Sequence, residues 1–339
     1  MSAAGPPQGA NNSLSEGRRD SAKGVPSSRH YRGRFAPSPT GPLHFGSLIA
    51  ALASYCDARA VGVEWRVRIE DVDEPRSRAG ADDGILATLE RYGFAWDGPV
   101  LRQSDRSARY AKALERLVAS EEAYACACAR RELEHAPEGA GGERIYPGTC
   151  RHGVPSHIAE RVQRAWRVRI ATDSVISFRD RLLGAQTQDI ARDVGDFVVK
   201  RADGLFAYQL AVVVDDAEQA ITDVVRGADL LASTPRQIWL QHRLGYPTST
   251  YLHVPIGVDG EGRKLSKQTH AAALPHDPLP ALLAAWRFLD QPSLFVAERC
   301  ANVGEFWAAA IAAWSPQRLP PVAMLPVERA FDPARRTPV

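Results

Sequence analysis

Two segments of this chain carry residue types suited to handling phosphate. The first is Pro37-Ser38-Pro39-Thr40-Gly41-Pro42-Leu43-His44-Phe45-Gly46-Ser47. The second, more than 200 residues later, is Lys264-Leu265-Ser266-Lys267-Gln268. In the first, Gly41 and Gly46 let the backbone approach a ligand closely, and His44 can donate a hydrogen bond to a phosphate oxygen. A helix beginning near Ser47 would aim free N–H groups and a positive dipole end at the same place. The second supplies two lysines and a serine behind Gly257, Gly260 and Gly262. Taken singly, either segment also reads as an ordinary polar turn, and neither is a Gly-rich dinucleotide fingerprint or a Walker loop. Taken together, they imply one nucleotide site assembled from both ends of a single α/β domain. A third group is sulfur: Cys126-Ala127-Cys128, then Tyr146-Pro147-Gly148-Thr149-Cys150. Thiols at this density suit a tetrahedral Zn2+ site; three unrelated buried cysteines are the plainer alternative. Cys56, on a helix, and Cys300, on an apolar face, read as core residues.

The elements that must position these groups follow from periodicity. Residues 31–36 read as a strand entering the Pro/Gly loop. Residues 48–60 are Ala- and Leu-rich and read as a helix capped by Ser47. Residues 64–70 alternate and read as a second strand. Strand, loop, helix, strand is a βαβ unit, which predicts a parallel sheet. Helices are expected over 82–92 and 106–120, the second with a stripe of Tyr110, Ala113, Leu114, Leu117 and Val118. Strands are expected over 166–170 and 196–200, followed by a turn at 202–204. Residues 205–214 read as a buried strand ending in Asp215-Asp216, 229–244 as a helix, and 251–258 as a strand leading to the second loop. Residues 281–314 read as helical, with Val296, Cys300, Val303, Trp307, Ile311 and Trp314 on one face.

Composition sets outer bounds. The 339 residues are 45% hydrophobic and 24% charged, as in globular proteins generally. No apolar run approaches a membrane span, and residues 1–30 lack a signal-peptide core and read as a disordered tail. With 42 basic and 40 acidic residues the net charge is +2, which is not the footprint of a protein that coats a long duplex. Five cysteines without a secretion signal argue for a reducing, cytoplasmic setting.

The motifs agree with a family. Arg34 to Gly41 with His44 to Ser47 resembles the first signature of class I aminoacyl-tRNA synthetases of the glutamyl type; Ser47 takes the place of its usual second histidine. Lys264 to Gln268 resembles the second signature, with Leu265 and Gln268 as departures. Arg68-Ile69-Glu70-Asp71-Val72-Asp73 and Val225-Arg226-Gly227-Ala228-Asp229-Leu230 also match, in order, over roughly residues 31–274. The resemblance implies an α/β fold: a class I synthetase Rossmann-type parallel sheet with a zinc-bearing insertion and a short helical C-terminal part. Glutamyl-tRNA synthetases continue into an anticodon-binding domain, yet only about seventy residues follow Gln268. That build resembles a paralogue family, the glutamyl-queuosine tRNA(Asp) synthetases, which attach glutamate to queuosine in the anticodon of tRNA(Asp).

What this implies is specific. Expected partners are ATP, L-glutamate and tRNA(Asp) carrying queuosine, with no membrane and a monomeric chain. Expected cofactors are one structural Zn2+, and Mg2+ with ATP. Catalysis is expected from His44, Lys267 and Lys264; ATP binding from His44, Gly46, Ser47 and Lys267. Glutamate is expected at Arg34, Phe35, Ala36, Pro37, Ser38, Glu70, Tyr208 and Arg226, with arginine gripping carboxylate. Zinc is expected on Cys126, Cys128, Tyr146 and Cys150, with His152 as the alternative fourth ligand; Arg130 and Arg131 in that insertion are candidates to face RNA. The expected domains are a tail over 1–30, a catalytic domain over 31–275 with an insertion over about 105–185 (zinc site 126–150), a helical remnant over 276–314 and a loose Pro-rich tail over 315–339. Three rival functions stand beside this reading of the motifs: a truncated glutamyl-tRNA synthetase charging the 3′ end of tRNA(Glu), a nucleotidyltransferase of the same broad superfamily with no RNA partner, and a non-catalytic RNA-binding paralogue.

Overall fold

The computed structural model describes residues 31–139, 144–264, 272–292 and 300–331. Lys267 and the tail expected over 1–30 lie outside the described residues. Strand β1 (Arg32–Phe35) runs into the first loop, helix α1 (Phe45–Arg59) follows, and β2 (Glu64–Ile69) returns parallel to β1, with Arg32 opposite Glu64 and Phe35 opposite Val67. This is the βαβ unit expected from the sequence. The cap differs: His44, in extended backbone, precedes the first turn of α1, and Ser47 lies inside it. α1 is buried along most of its length, and Ala51, Ala53, Ser54 and Ala58 keep it slim enough to pack closely.

Helix α2 (Ala81–Arg91) leads to β3 (Leu101–Arg102), which pairs parallel with β2. In α3 (Ser107–Ala119), Tyr110, Ala113, Leu114 and Leu117 are buried, whereas Val118 turns to solvent. Next come β4 (Ala123–Cys126), β5 (Ala165–Val168), β6 (Val175–Asp180), β7 (Gly184–Asp189), the short α4 (Ile190–Asp193) and β8 (Val198–Lys200). β4, β5 and β8 form a small antiparallel sheet, and β6 and β7 form a hairpin.

The second half adds α5 (Tyr208–Glu218), β9 (Asp223–Gly227), α6 (Thr234–Arg243), β10 (Thr250–Val254), β11 (Ile256–Val258), α7 (Pro278–Phe288), α8 (Val303–Ala313) and β12 (Met324–Pro326). β10 pairs parallel with both β9 and β6, giving the order β7-β6-β10-β9. Thr222 N–H, just before β9, donates to the Arg32 carbonyl at 3.1 Å and brings this sheet alongside β1.

Five expectations are corrected here. Residues 205–214 are not a strand: α5 occupies most of this stretch. Leu210 to Val214 are all buried, so the run shows no one-sided period, and apolar length alone does not separate strand from helix. The strand expected over 251–258 is two strands divided at Pro255, which has no N–H for a ladder. The helix expected over 229–244 begins as a 3-10 segment, Ala228–Ser233, and becomes α-helical where Pro235 sits in the first turn of α6. The helical stretch over 281–314 is two helices; Cys300 lies before α8, and Val296 is outside the described residues. Residues 315–331, expected to be loose, form β12 against β11 and a 3-10 turn, Val327–Phe331, packed near α7.

Candidate active site

The carboxyl ends of the strands and the start of α1 enclose a cleft of about 670 Å³. The first loop forms one wall with Arg34 to Ser38, His44, Gly46 and Ser47, and Glu70, Tyr208, Arg226 and Lys264 line the rest. Every candidate for glutamate, ATP and catalysis except Lys267 therefore borders one space. Gly41 has a φ of 149°, a backbone that side chains disfavour. The segment that follows the second motif meets the first loop through backbone. Leu274 N–H donates to the Leu43 carbonyl at 3.0 Å, and His44 bridges Ala273. Both described flanks of the second motif, Lys264 and Ala273, thus lie against the first loop's site. Lys264 is ion-paired with Asp229, which also lines the cleft.

Beneath the cleft runs a buried charge network. Arg68, fully buried, donates to Asp216 at 2.7 Å and to Glu70 at 3.2 Å. Arg34 reaches both oxygens of Asp216 at 3.4 Å. Asp215, also fully buried, accepts from Arg106 and Gln103 at 2.7 Å and from the Tyr110 hydroxyl at 2.9 Å. Burial acts to raise the Asp216 pKa, but Arg34 and Arg68 more than offset it and hold the carboxyl below the ordinary range. Glu70 is shifted the other way, because its burial outweighs the pull of Arg68 and Arg34. It is the less satisfied acid, and it borders the cleft. Burial also raises the Tyr208 hydroxyl, with Glu70 adding to the effect, so it stays protonated.

Arg226 comes from β9 and is 5% exposed, so it is no solvated surface charge. Its guanidinium is held by Gln237 at 2.8 Å, Thr234 at 2.8 Å and His253 at 3.1 Å. Since His253 Nε2 accepts from Arg226, its Nδ1 must carry the proton and donate to Asp180 at 2.7 Å. Burial holds the His253 pKa below the ordinary imidazole value, which preserves that neutral form. Residue types alone did not reveal this supporting layer. Asp215-Asp216 stood out in the sequence without a role. His253, on a strand of otherwise apolar buried residues, was the one available signal for the rest.

In the insertion, the sulfurs of Cys126, Cys128 and Cys150 all lie within 4.8 Å of one another. Cys128 and Cys150 are 3.7 Å apart, and the Tyr146 oxygen is 3.3 Å from both Cys126 and Cys128. A tetrahedron with Zn–S bonds near 2.3 Å has edges of about 3.8 Å; the Cys128–Cys150 separation matches that edge, and the other donors lie close enough to converge on one ion. His152 is exposed and stands apart from this group. Arg167 lies over the Tyr146 ring at 3.9 Å. Burial opposes ionisation of Cys126, but its hydrogen bond with Tyr146 and the nearby Arg167 more than offset it and lower its pKa. Arg130 and Arg131 are exposed on the same insertion, whereas Cys56 and Cys300 are buried in the core. No helix among the described residues is long and apolar enough to cross a membrane.

Comparison with known proteins agrees with this geometry. Residues 30–277 match the family model "tRNA synthetases class I (E and Q), catalytic domain". The chain is 57% identical over 286 residues to the Glutamyl-Q tRNA(Asp) synthetase of Dechloromonas aromatica, covering 82% of this chain and 94% of that protein. It is 61% identical over 252 residues to the protein of the same name from Thiobacillus denitrificans, covering 74% and 82%. Among solved structures, glutamate-tRNA synthetase from Elizabethkingia anophelis aligns with a TM-score of 0.73 at 25% identity, covering 88% of this chain and 69% of that one. The chain therefore belongs to the glutamyl- and glutaminyl-type class I tRNA synthetases, and within them to the Glutamyl-Q tRNA(Asp) synthetase family.

Proposed function

We propose that this protein activates L-glutamate with ATP as glutamyl-adenylate and transfers the glutamyl group to queuosine in the anticodon of tRNA(Asp). The observation that carries the reading is the shared cleft: phosphate-type residues and a glutamate-type pocket border one space. The relatives' names give the acceptor.

In the first step, an oxygen of the glutamate α-carboxylate attacks the α-phosphorus of ATP, and the bond to pyrophosphate breaks. Such displacement needs reactants held in line and negative charge stabilised. Arg226 takes the side-chain carboxylate, with Phe35, Ala36, Pro37 and Ser38 shaping the wall and the buried Arg34 at its base. Glu70 takes the ammonium, and Tyr208 closes the pocket. His44 and the α1 start at Gly46 and Ser47 hold the phosphates. Lys267 neutralises the charge that develops on the transferring group, and Lys264 assists, exchanging its bond to Asp229 for phosphate. Mg2+ accompanying ATP supplies further neutralisation at the phosphate oxygens. In the second step a queuosine hydroxyl attacks the glutamyl carbonyl and AMP leaves. No protein nucleophile is required.

Cys126, Cys128, Tyr146 and Cys150 would hold one zinc ion. Four protein donors close its coordination, so its role is structural: it fixes the insertion, spanning about residues 105–185, beside the cleft. A cytoplasmic monomer is the setting that fits this work. The test is glutamate-dependent pyrophosphate exchange without tRNA, followed by transfer to tRNA(Asp) with and without queuosine. Exchange and queuosine-dependent acceptance are expected. Charging of the 3′ end of tRNA(Glu) instead, or absence of exchange, would overturn the reading.

A further inference from the structure

Neither Asp180 nor His253 lines the active-site cleft, yet the two stand in a chain directly behind Arg226. Asp180 ends β6, His253 lies on β10 and Arg226 on β9, three neighbouring strands of one sheet. His253 is fully buried and Asp180 nearly so. Burying an aspartate, a histidine and an arginine in a row is costly unless their donors and acceptors match. The way they match has a direction.

Asp180 offers only acceptors. Its Oδ1 accepts from Leu182 N–H and Leu183 N–H at 2.9 Å, and its Oδ2 from His253 N–H at 3.1 Å. Those backbone donors favour the carboxylate anion, so His253 Nδ1, at 2.7 Å from Oδ2, must donate. A neutral imidazole carries one N–H, which leaves a lone pair on Nε2. Two donors converge there: Arg226 Nε at 3.1 Å and the Thr234 hydroxyl at 3.1 Å. The corner that carries Asp180 is itself pinned, because Arg181 pairs with Asp57 of α1 at 2.6 and 3.0 Å.

The other side of the guanidinium has the same polarity. Gln237 Nε2 donates to Gln209 at 3.0 Å, which turns Gln237 Oε1 toward Arg226. Every group that holds the guanidinium is thus an acceptor: His253 Nε2, Gln237 Oε1, Thr234 Oγ1 and the Leu230 carbonyl. Arg226 therefore shows the cleft N–H donors alone. Both oxygens of a carboxylate can accept from them, whereas the NH2 of a side-chain amide would set donor against donor. The opposite imidazole tautomer would aim an Nε2–H at Arg226 Nε and drive the guanidinium from its place.

We propose that Asp180 and His253 are positioning residues that set the preference of this pocket for glutamate over glutamine. The aspartate fixes the imidazole tautomer, and the imidazole fixes the guanidinium. The inference rests on the proposal that Arg226 takes the side-chain carboxylate; Arg226 touches the substrate, and the other two act only through it.

The test combines substrate-dependent pyrophosphate exchange with a direct reading of the tautomer. Asp180→Asn keeps the shape but can turn an NH2 toward Nδ1, which favours the wrong tautomer. It should raise the glutamate KM about tenfold, lower the ratio of kcat/KM for glutamate over glutamine about tenfold, and move the ATP KM less than about threefold. His253→Leu should do the same. His253→Gln, whose amide oxygen reaches the place of Nε2, should recover most of the loss. Two-bond proton–nitrogen NMR correlations of the wild-type protein with isotope-labelled histidine, assigned by the signal missing in His253→Gln, should show the Nδ1–H tautomer. An Nε2–H tautomer or an imidazolium at neutral pH would overturn the inference. So would glutamate, glutamine and ATP requirements that rise together in Asp180→Asn, the mark of a merely structural role. If Arg226→Lys leaves the glutamate KM unchanged, the pocket assignment fails; if Arg226→Lys is impaired while Asp180→Asn matches the wild type, this inference alone fails.

Discussion

Replacing Arg226 by lysine should separate glutamate recognition from ATP recognition if the proposed pocket is right. A guanidinium offers five N–H donors. Here Nε is spent on His253, Nη1 donates to Gln237 and Nη2 to Thr234, and Nη2 makes one more long contact of 3.4 Å with the Leu230 carbonyl. That leaves one N–H open and another weakly held, enough for the two oxygens of a carboxylate. Lysine has a single nitrogen and cannot satisfy the supporting shell and a carboxylate pair together. Charge-assisted hydrogen bonds contribute about 1.5–3 kcal/mol each. Loss of about 2–3 kcal/mol would raise the glutamate KM roughly 30- to 150-fold. In the proposed arrangement ATP meets the other end of the cleft, so its KM should change less than about threefold. The assay is pyrophosphate exchange with each substrate titrated in turn, alongside thermal unfolding to verify the fold. Equal shifts in the glutamate and ATP requirements would refute the assignment of Arg226.

Asp216→Asn removes the counter-charge of two buried arginines while keeping shape, and should destabilise the protein by about 3–5 kcal/mol in urea unfolding at pH 7. Because the folded pKa of Asp216 is depressed, its contribution in the wild type is present above the unfolded value of about 3.9 and is lost as pH falls through the lower folded value. The Asn variant should lack that acid-limb loss; an identical pH profile would count against the network. Cys128→Ser should abolish bound zinc by atomic absorption and lower the melting temperature, whereas His152→Ala should retain one zinc per chain; zinc loss in the histidine variant would reassign the fourth ligand. Lys267→Ala should abolish pyrophosphate exchange with little change in melting temperature, and an active variant would remove that lysine from the chemistry.

The parts legible in the sequence share a property: their signal is local. The βαβ start could be read because a half-buried strand alternates and a loop that handles phosphate needs glycine, proline and a helix behind it. The sulfur cluster could be read because a tetrahedral ion calls for several donors, three of them here thiols, two of which sit one residue apart. Residues 205–214 could not, since an apolar run buried on every side looks the same as strand or helix. One strand was read straight through Pro255, because what separates β11 from β10 is its pairing with β12, supplied from residues 324–326. The order of residues 315–331 likewise depends on a partner strand and helix distant in sequence.

Sequence by itself determined the residue types on offer: loops whose composition suits phosphate, side chains that suit glutamate, and thiols spaced to suit a metal. Tertiary structure decided how those groups are charged and held. Arg226 is a buried, neutral-histidine-backed donor rather than a surface charge, Glu70 is the less satisfied acid, and Asp216 is ion-paired beneath the cleft. It also decided that Tyr146 rather than His152 stands with the three sulfurs. The physical reason is that residue type fixes a group's donors and intrinsic acidity, whereas burial and neighbours drawn from distant segments set its actual protonation and free valences.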